Sequence, residues 1–251
     1  MNPPLLGRRF VLETGLVGGL SLLAITSLAG CRSAPLAALP GPVRPAPLPP
    51  SPRPLPPSRP TTSVPPAGPN PEFLPRSAWT RAGVARPRDI NPMLPVSRIT
   101  IHHDGMDAFT SASRSDAAAR IETIRAAHVG QRKFADIGYH YIIDPAGRVW
   151  EGRSTNAQGA HVQDNNEGNL GIMCLGNFDR HRPSAAQASA LDRFVAAQML
   201  RFRVPIGRVY THQEINPTAC PGRNLQSYMI ATRATGGNMR LAASSGAAAG
   251  A

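Results

Sequence analysis

The chain has 251 residues, 41% hydrophobic, 5% aromatic and 17% charged, enough for one ordinary domain with appendages or two small domains. Three cysteines exclude a disulfide-rich secreted scaffold, a single apolar stretch of membrane-spanning length excludes a polytopic membrane protein, and 27 prolines, about twice the ordinary share, mark part of the chain as unpacked. The formal charge of +12 is spread along the chain, and no basic run carries interleaved aromatics, so nucleic acid is not an expected partner while a basic surface suits an acidic polymer.

From the N-terminus, Arg8 and Arg9 precede an apolar run from Phe10 to Ala29, the layout of a signal peptide. Arg8-Arg9-Phe10-Val11-Leu12 resembles a twin-arginine export signal. Leu28-Ala29-Gly30-Cys31 resembles the lipobox of bacterial lipoproteins. That resemblance implies removal of residues 1–30 and a lipid on Cys31. The competing reading is an uncleaved anchor, since 20 apolar residues can span a bilayer. Either way the remainder is exported and held at a membrane. Arg32 stands where an acidic residue often signals retention at the inner membrane, which directs the expectation to the periplasmic face of the outer membrane. Residues 31–71 form a linker, with 16 prolines among the 37 residues from Pro35 to Pro71. Such a stretch favours polyproline II and builds no core. The folded domain is placed at 72–233, and the Ala/Gly/Ser-rich residues 234–251 are expected to be a disordered tail.

Within the domain, Arg98 to His103 is short and β-branched and predicts a strand. Ser113 to Val129 carries apolar residues at helical spacing and predicts a helix ended by Gly130. Tyr139 to Ile143 and Arg148 to Glu151, joined by Asp144-Pro-Ala-Gly147, predict a β-hairpin. Leu170 to Leu175 predicts a buried strand. Ser184 to Phe202 predicts an amphipathic helix with a capping box between Ser184 and Gln187. Arg208 to Thr211 predicts a short strand and Asn224 to Ala231 a last helix. The resulting class is α/β: a single domain with a central mixed sheet flanked by helices.

Two cysteines of the domain differ in setting. Cys174 lies in an apolar strand, where a thiol behaves as a small hydrophobe. Cys220 lies in a polar loop, Asn216-Pro-Thr-Ala-Cys-Pro-Gly222, with no apolar reason for a thiol. His212 precedes that loop directly after a short strand, and His102 and His103 end an earlier one. Two His and one Cys at strand ends and in a loop suit Zn2+, and a catalytic zinc keeps three protein ligands. Neighbours on a strand point to opposite faces, so only one of His102 and His103 joins the same metal; alternation does not say which.

Several motifs then fall in order: Arg76-Ser-Ala-Trp79, Ile101-His-His103, Asp136-Ile-Gly-Tyr-His140, Glu151-Gly-Arg153, Gly159-Ala-His161, Gly176-Asn-Phe178, His212-Gln-Glu214 and Thr218-Ala-Cys-Pro-Gly222. With them the chain resembles the zinc-dependent N-acetylmuramoyl-L-alanine amidases related to phage amidases and peptidoglycan-recognition proteins. The resemblance implies hydrolysis of the amide between N-acetylmuramic acid and L-alanine in peptidoglycan, in wall turnover or remodelling. The alternative is a peptidoglycan-binding module that does not cut. By position, the resemblance implies His102, His212 and Cys220 as metal ligands and Tyr139 and Thr218 as catalytic residues. It places His161, Asn166 and Arg153 at substrate, where the competing role for Arg153 and Asn166 is to stabilise turns. Asp104 stands where relatives usually have Thr, and some relatives carry Lys at the position of Thr218. The expected partners are peptidoglycan or muropeptides and, through its lipid, a membrane; the expected state is a monomer. Glu151 and Glu214 are given no catalytic role, since capping and surface pairing suit them as well.

Overall fold

A computed structural model describes residues 72–249. The signal segment 1–30, Cys31 and the proline-rich segment lie outside the described residues. Six strands form one mixed sheet: β1 (Phe73–Leu74), β2 (Arg98–His103), β3 (Tyr141–Ile143), β4 (Val149–Glu151), β5 (Asn169–Cys174) and β6 (Val209–Thr211), in the order β1-β4-β3-β5-β2-β6. Only β3 and β4, the expected hairpin, run antiparallel; every other neighbouring pair is parallel. The helices are α1 (Arg114–Gly130), α2 (Ala185–Phe202), α3 (Arg223–Arg233) and α4 (Asn238–Ala249).

Strand alternation divides the interior into two cores. Ile99, Ile101, Tyr141, Ile143, Leu170 and Ile172 cluster with Leu191 and Val195 of α2, Leu225 and Met229 of α3 and Met239 of α4. Ile142, Trp150 and Met173 cluster with Ala117, Ile121 and Ile124 of α1. The two-residue side-chain period puts the two sets on opposite faces. Each fully buried isoleucine contributes about 1.5–3 kcal/mol, so both faces resist water and the sheet is pinned from both sides.

The hairpin turn is built by its first residue. The Asp144 carboxylate accepts from the Ala146 and Arg148 amides, from Arg148 Nε at 2.6 Å and from Trp150 Nε1 at 2.9 Å, and Gly147 adopts φ +83°. At the start of α2, the Ser184 hydroxyl accepts from the Gln187 amide at 3.0 Å, as expected. The second half of the expected capping box is absent: the Gln187 side chain donates to the carbonyls of Ile143 and Leu175 instead, because it is buried against the ends of β3 and β5.

The C-terminus departs from expectation. Residues 238–249, expected in a disordered tail, form α4. The sequence there is small and weakly apolar, but alanine favours helix and Met239 supplies an anchor that is fully buried against the α2 and α3 side. A polar knot holds the junction. Asp192 of α2 accepts from Tyr228 Oη at 2.6 Å and Thr232 Oγ1 at 2.7 Å, and the Thr232 hydroxyl accepts from the Met239 amide.

Burial pushes the Asp192 carboxyl up to about 6, against the hydrogen bonds from Tyr228 and Thr232. A carboxyl raised on folding contributes stability that is full below its ordinary value of 3.8 and is lost as pH rises through about 6. Asp192→Asn stays neutral at every pH. The stability difference between wild type and Asp192→Asn should therefore shift by about 1–3 kcal/mol between pH 4 and pH 7.5, towards wild type at the acid end. Urea unfolding at the two pH values measures it, and parallel pH profiles would remove Asp192 as the source.

Candidate metal centre and its surroundings

The centre forms where two parallel strands end. Ile101 of β2 is in register with Thr211 of β6, so His102, still within β2, and His212, the first residue after β6, stand side by side at the carboxyl edge of the sheet. Their rings lie 4.8 Å apart between centroids, at 61°. Thr211 and Glu214 fix the turn carrying His212 through reciprocal capping, in which the Glu214 carboxylate accepts from the Thr211 amide at 2.8 Å. Cys220 returns to the same point on the following loop. Its carbonyl accepts from the Gln213 amide at 2.9 Å, its sulfur accepts from the His103 amide at 3.4 Å, and Sγ stands 3.6 Å from His102 Nδ1.

One ligand atom from each of His102, His212 and Cys220 lies within 4.8 Å of the others, and this is the one such cluster of His, Cys, Asp or Glu among the described residues. Two imidazoles and a thiol at that spacing fit a borderline-soft divalent cation. Burial, then the His161 and His212 rings, hold the His102 imidazole well below its usual range, and burial lowers His212 too. Burial pushes the Cys220 thiol up to about 12. Without a cation the set is therefore neutral, and a cation would have to displace only the thiol proton.

His103, one residue on, faces the other way. Its Nδ1 accepts from the Phe178 amide at 3.4 Å and its ring stacks on Phe178. Asp104, the residue at the position where relatives usually carry Thr, closes the strand end. Its buried carboxylate takes both Nε and Nη2 of Arg120 and the Gly176 amide.

Tyr139 lies just before β3 rather than in it, half-buried, with its ring 5.1 Å from that of His102 and 5.7 Å from that of His128. Burial and the neighbouring Cys220 raise its hydroxyl above the ordinary phenol value, so it stays a proton donor. The exposed Thr218 hydroxyl accepts from the Cys220 amide at 3.2 Å. Glu151 accepts from the Arg76 amide and Glu214 pairs with Arg233 at 2.6 Å, so both carboxylates are engaged in the scaffold.

The three residues expected at substrate have other occupations. Arg153 is buried, and its guanidinium donates to the carbonyls of Ile137, Gln158 and Asp136 at 2.7–3.0 Å. Three of the five guanidinium donors are thus committed to the loop backbone. The Asn166 side chain accepts from the amides of His161 and Val162, closing the turn. His161 is 8% exposed and has both ring nitrogens engaged, Nδ1 with His102 Nε2 at 3.0 Å and Nε2 with the Asn169 carbonyl at 3.1 Å. Arg153 and Asn166 also border a cleft of about 270 Å³ with Asp89, Lys133 and Gln158.

Several contributors were not singled out from the sequence. His140 accepts from the Gly171 amide and contacts the Ala157 carbonyl, and His128 accepts from the Gly138 amide beside Tyr139. Gly171 sits inside β5, where a Cβ would lie 2.5 Å from the His161 ring. A glycine within a buried strand is the sequence signal for such a close approach.

Residues 92–223 match the family described as N-acetylmuramoyl-L-alanine amidase. A peptidoglycan-recognition protein of Drosophila simulans is 33% identical over 155 residues, covering 61% of this chain and 83% of that protein. The structure of peptidoglycan recognition protein-LE in complex with tracheal cytotoxin, a monomeric diaminopimelic acid-type peptidoglycan, superposes with a TM-score of 0.56 at 27% identity, covering 62% of this chain and 90% of that one. The N-acetylmuramoyl-L-alanine amidase LysC of Clostridium intestinale shares the fold, with a TM-score of 0.52 at 23% identity over 64% of this chain and 96% of its own. The fold is thus that of the amidases and peptidoglycan-recognition proteins, and the chain belongs to the N-acetylmuramoyl-L-alanine amidase family.

The role of Arg153 is open to direct measurement. Arg153→Met leaves three carbonyls without their donor, each costing about 1–3 kcal/mol when buried. The expected loss of unfolding free energy in urea is about 2–4 kcal/mol. A residue that served substrate alone would leave the urea midpoint unchanged.

Proposed function

We propose that the protein is a zinc-dependent amidase that cleaves the bond between N-acetylmuramic acid and L-alanine in peptidoglycan or muropeptides. The observation that carries this reading is the convergence of His102, His212 and Cys220 within 4.8 Å, with the Tyr139 ring against His102. Those three residues would hold the ion, the ligand count of a catalytic rather than a structural zinc. When bound, zinc supplies a Lewis acid towards the amide carbonyl oxygen.

The chain's own groups supply the rest. Cys220 would give up its thiol proton to hold the ion and would offset part of its charge. The protonated Tyr139 hydroxyl donates a hydrogen bond where negative charge develops on the former carbonyl oxygen. The Thr218 hydroxyl, accepting from the Cys220 amide, steadies the loop and keeps its own proton available for donation. Glu151 and Glu214 are tied to Arg76 and Arg233 and take no part in proton transfer.

A second reading, a module that binds peptidoglycan without cutting it, is favoured by relatives named for recognition. The complete donor set with its tyrosine favours the enzyme. Incubating the zinc-loaded full chain with purified peptidoglycan, with products identified by mass, separates the two. Release of stem peptides beginning at L-alanine is expected. Cys220→Ala should lose both zinc and release. Tyr139→Phe should keep zinc and lower kcat by about 10²–10³-fold. Binding to the wall with no released peptide would leave the recognition module.

The N-terminal residues belong to the same proposal. A lipid on Cys31, followed by the proline-rich spacer, would hold the domain off a membrane and within reach of the wall; two acyl chains suffice for stable anchoring. The isolated mature protein should begin at Cys31 and carry the mass of acyl chains. A mature chain beginning at Met1 without added mass would favour the uncleaved anchor.

A further inference from the structure

We propose that His161 is a positioning residue that fixes the tautomer of His102, so that His102 presents Nδ1 to the metal centre. This rests on the reading of His102, His212 and Cys220 as a metal site.

The inference follows from where protons can sit. The Asn169 backbone carbonyl can only accept, so the 3.1 Å contact with His161 Nε2 requires the proton on that nitrogen. A neutral imidazole carries one N–H, which leaves His161 Nδ1 as an acceptor. Its 3.0 Å partner, His102 Nε2, must then be the donor. His102 Nδ1 is thereby left with a bare lone pair, on the side where Cys220 Sγ lies at 3.6 Å. A charged form of either ring would be a cation buried beside further imidazoles, which is costly without a counter-charge.

The chain of hydrogen bonds is anchored at its far end. Asn169 belongs to β5, its Oδ1 accepts from Thr100 of β2 at 2.8 Å, and its Nδ2 donates to the Asn165 carbonyl at 2.7 Å. The His161 backbone is held by Asn166. The ring itself lies where side chains are missing: a Cβ at Gly159 or Gly171 would collide with its Cδ2. The ring thus occupies space that any larger residue at either position would close. A ligating histidine whose second nitrogen has a fixed partner is oriented and tautomerically defined before the metal arrives, and loss of such a partner typically costs about 10–100-fold in affinity. Here the partner is a second histidine, itself set by a carbonyl.

Two readouts on the full chain test this, one of them without metal. In the metal-free wild type, histidine side-chain ¹⁵N spectra should show His102, identified by its loss in His102→Gln, as the Nε2–H form. Zinc affinity by chelator competition should fall about 10–100-fold in His161→Ala. His161→Asn, whose carbonyl oxygen can take the place of Nδ1 as acceptor, should recover most of that loss. An Nδ1–H form of His102 in wild type would overturn the proposal, as would wild-type zinc affinity in a folded His161→Ala protein. If His161→Ala fails to fold, the wild-type spectrum and His161→Asn decide. If wild type binds no zinc, the metal reading falls, while the spectrum still reports whether His161 sets the tautomer.

Discussion

Strand β2 lies between β5 and β6, parallel to both, and is covered on both faces, so its pleat dictates where every side chain goes. Ile99 and Ile101 enter the core beneath α2, while Thr100 and His102 enter the opposite side. At the end of the strand the same alternation divides two adjacent histidines. His102 joins His212 and Cys220, and His103 stacks on Phe178. A one-residue slip of register would exchange them and put an isoleucine into the polar layer. Two hydrophobic cores on either side of the sheet make that slip prohibitive, and the geometry of the His102, His212 and Cys220 cluster depends on their holding.

The centre stands on a polar layer with few loose ends. Thr100, His140, His161 and Asn169 are all buried, and hydrogen bonds join each of them to strands or loops beneath the cluster. In a low-dielectric interior such a network is rigid when complete and costly when broken. Asn166 and Arg153 extend it by holding the loop that carries His161 and the segment that carries Tyr139. Asn166 and Arg153 thus support the site through hydrogen bonds to backbone groups.

Arginine is the main device for closing loops in this chain. Arg76 meets Asp136, Arg120 meets Asp104, Arg148 meets Asp144 and Arg233 meets Glu214. Others, such as Arg86 and Arg153, donate to carbonyls alone. The planar fork suits these bidentate or multiple contacts, where a lysine would offer a single point charge. These arginines therefore serve the scaffold, and the Asp136, Asp104 and Asp144 carboxylates they meet are buried.

Local patterns in the sequence determined much of this protein: the strand at Arg98–His103, the hairpin at Asp144–Gly147, three of the helices, the mixed sheet and the motif order that marks the family. The strands, hairpin and helices follow from short-range periodicity and turn chemistry, which need only neighbouring residues, and the motif order speaks through its resemblance to the family. Strand β1, two residues long, and the alanine-rich α4 carry no such pattern; one exists by pairing with β4 and the other by burying Met239. The destination of the Gln187 side chain, the reach of Arg153 to the Ile137 and Asp136 carbonyls and the contact between His161 and His102 were decided by tertiary structure alone. Each joins groups far apart in sequence, and a side chain's hydrogen-bonding partners are chosen by what burial brings within about 3 Å, which no local pattern encodes.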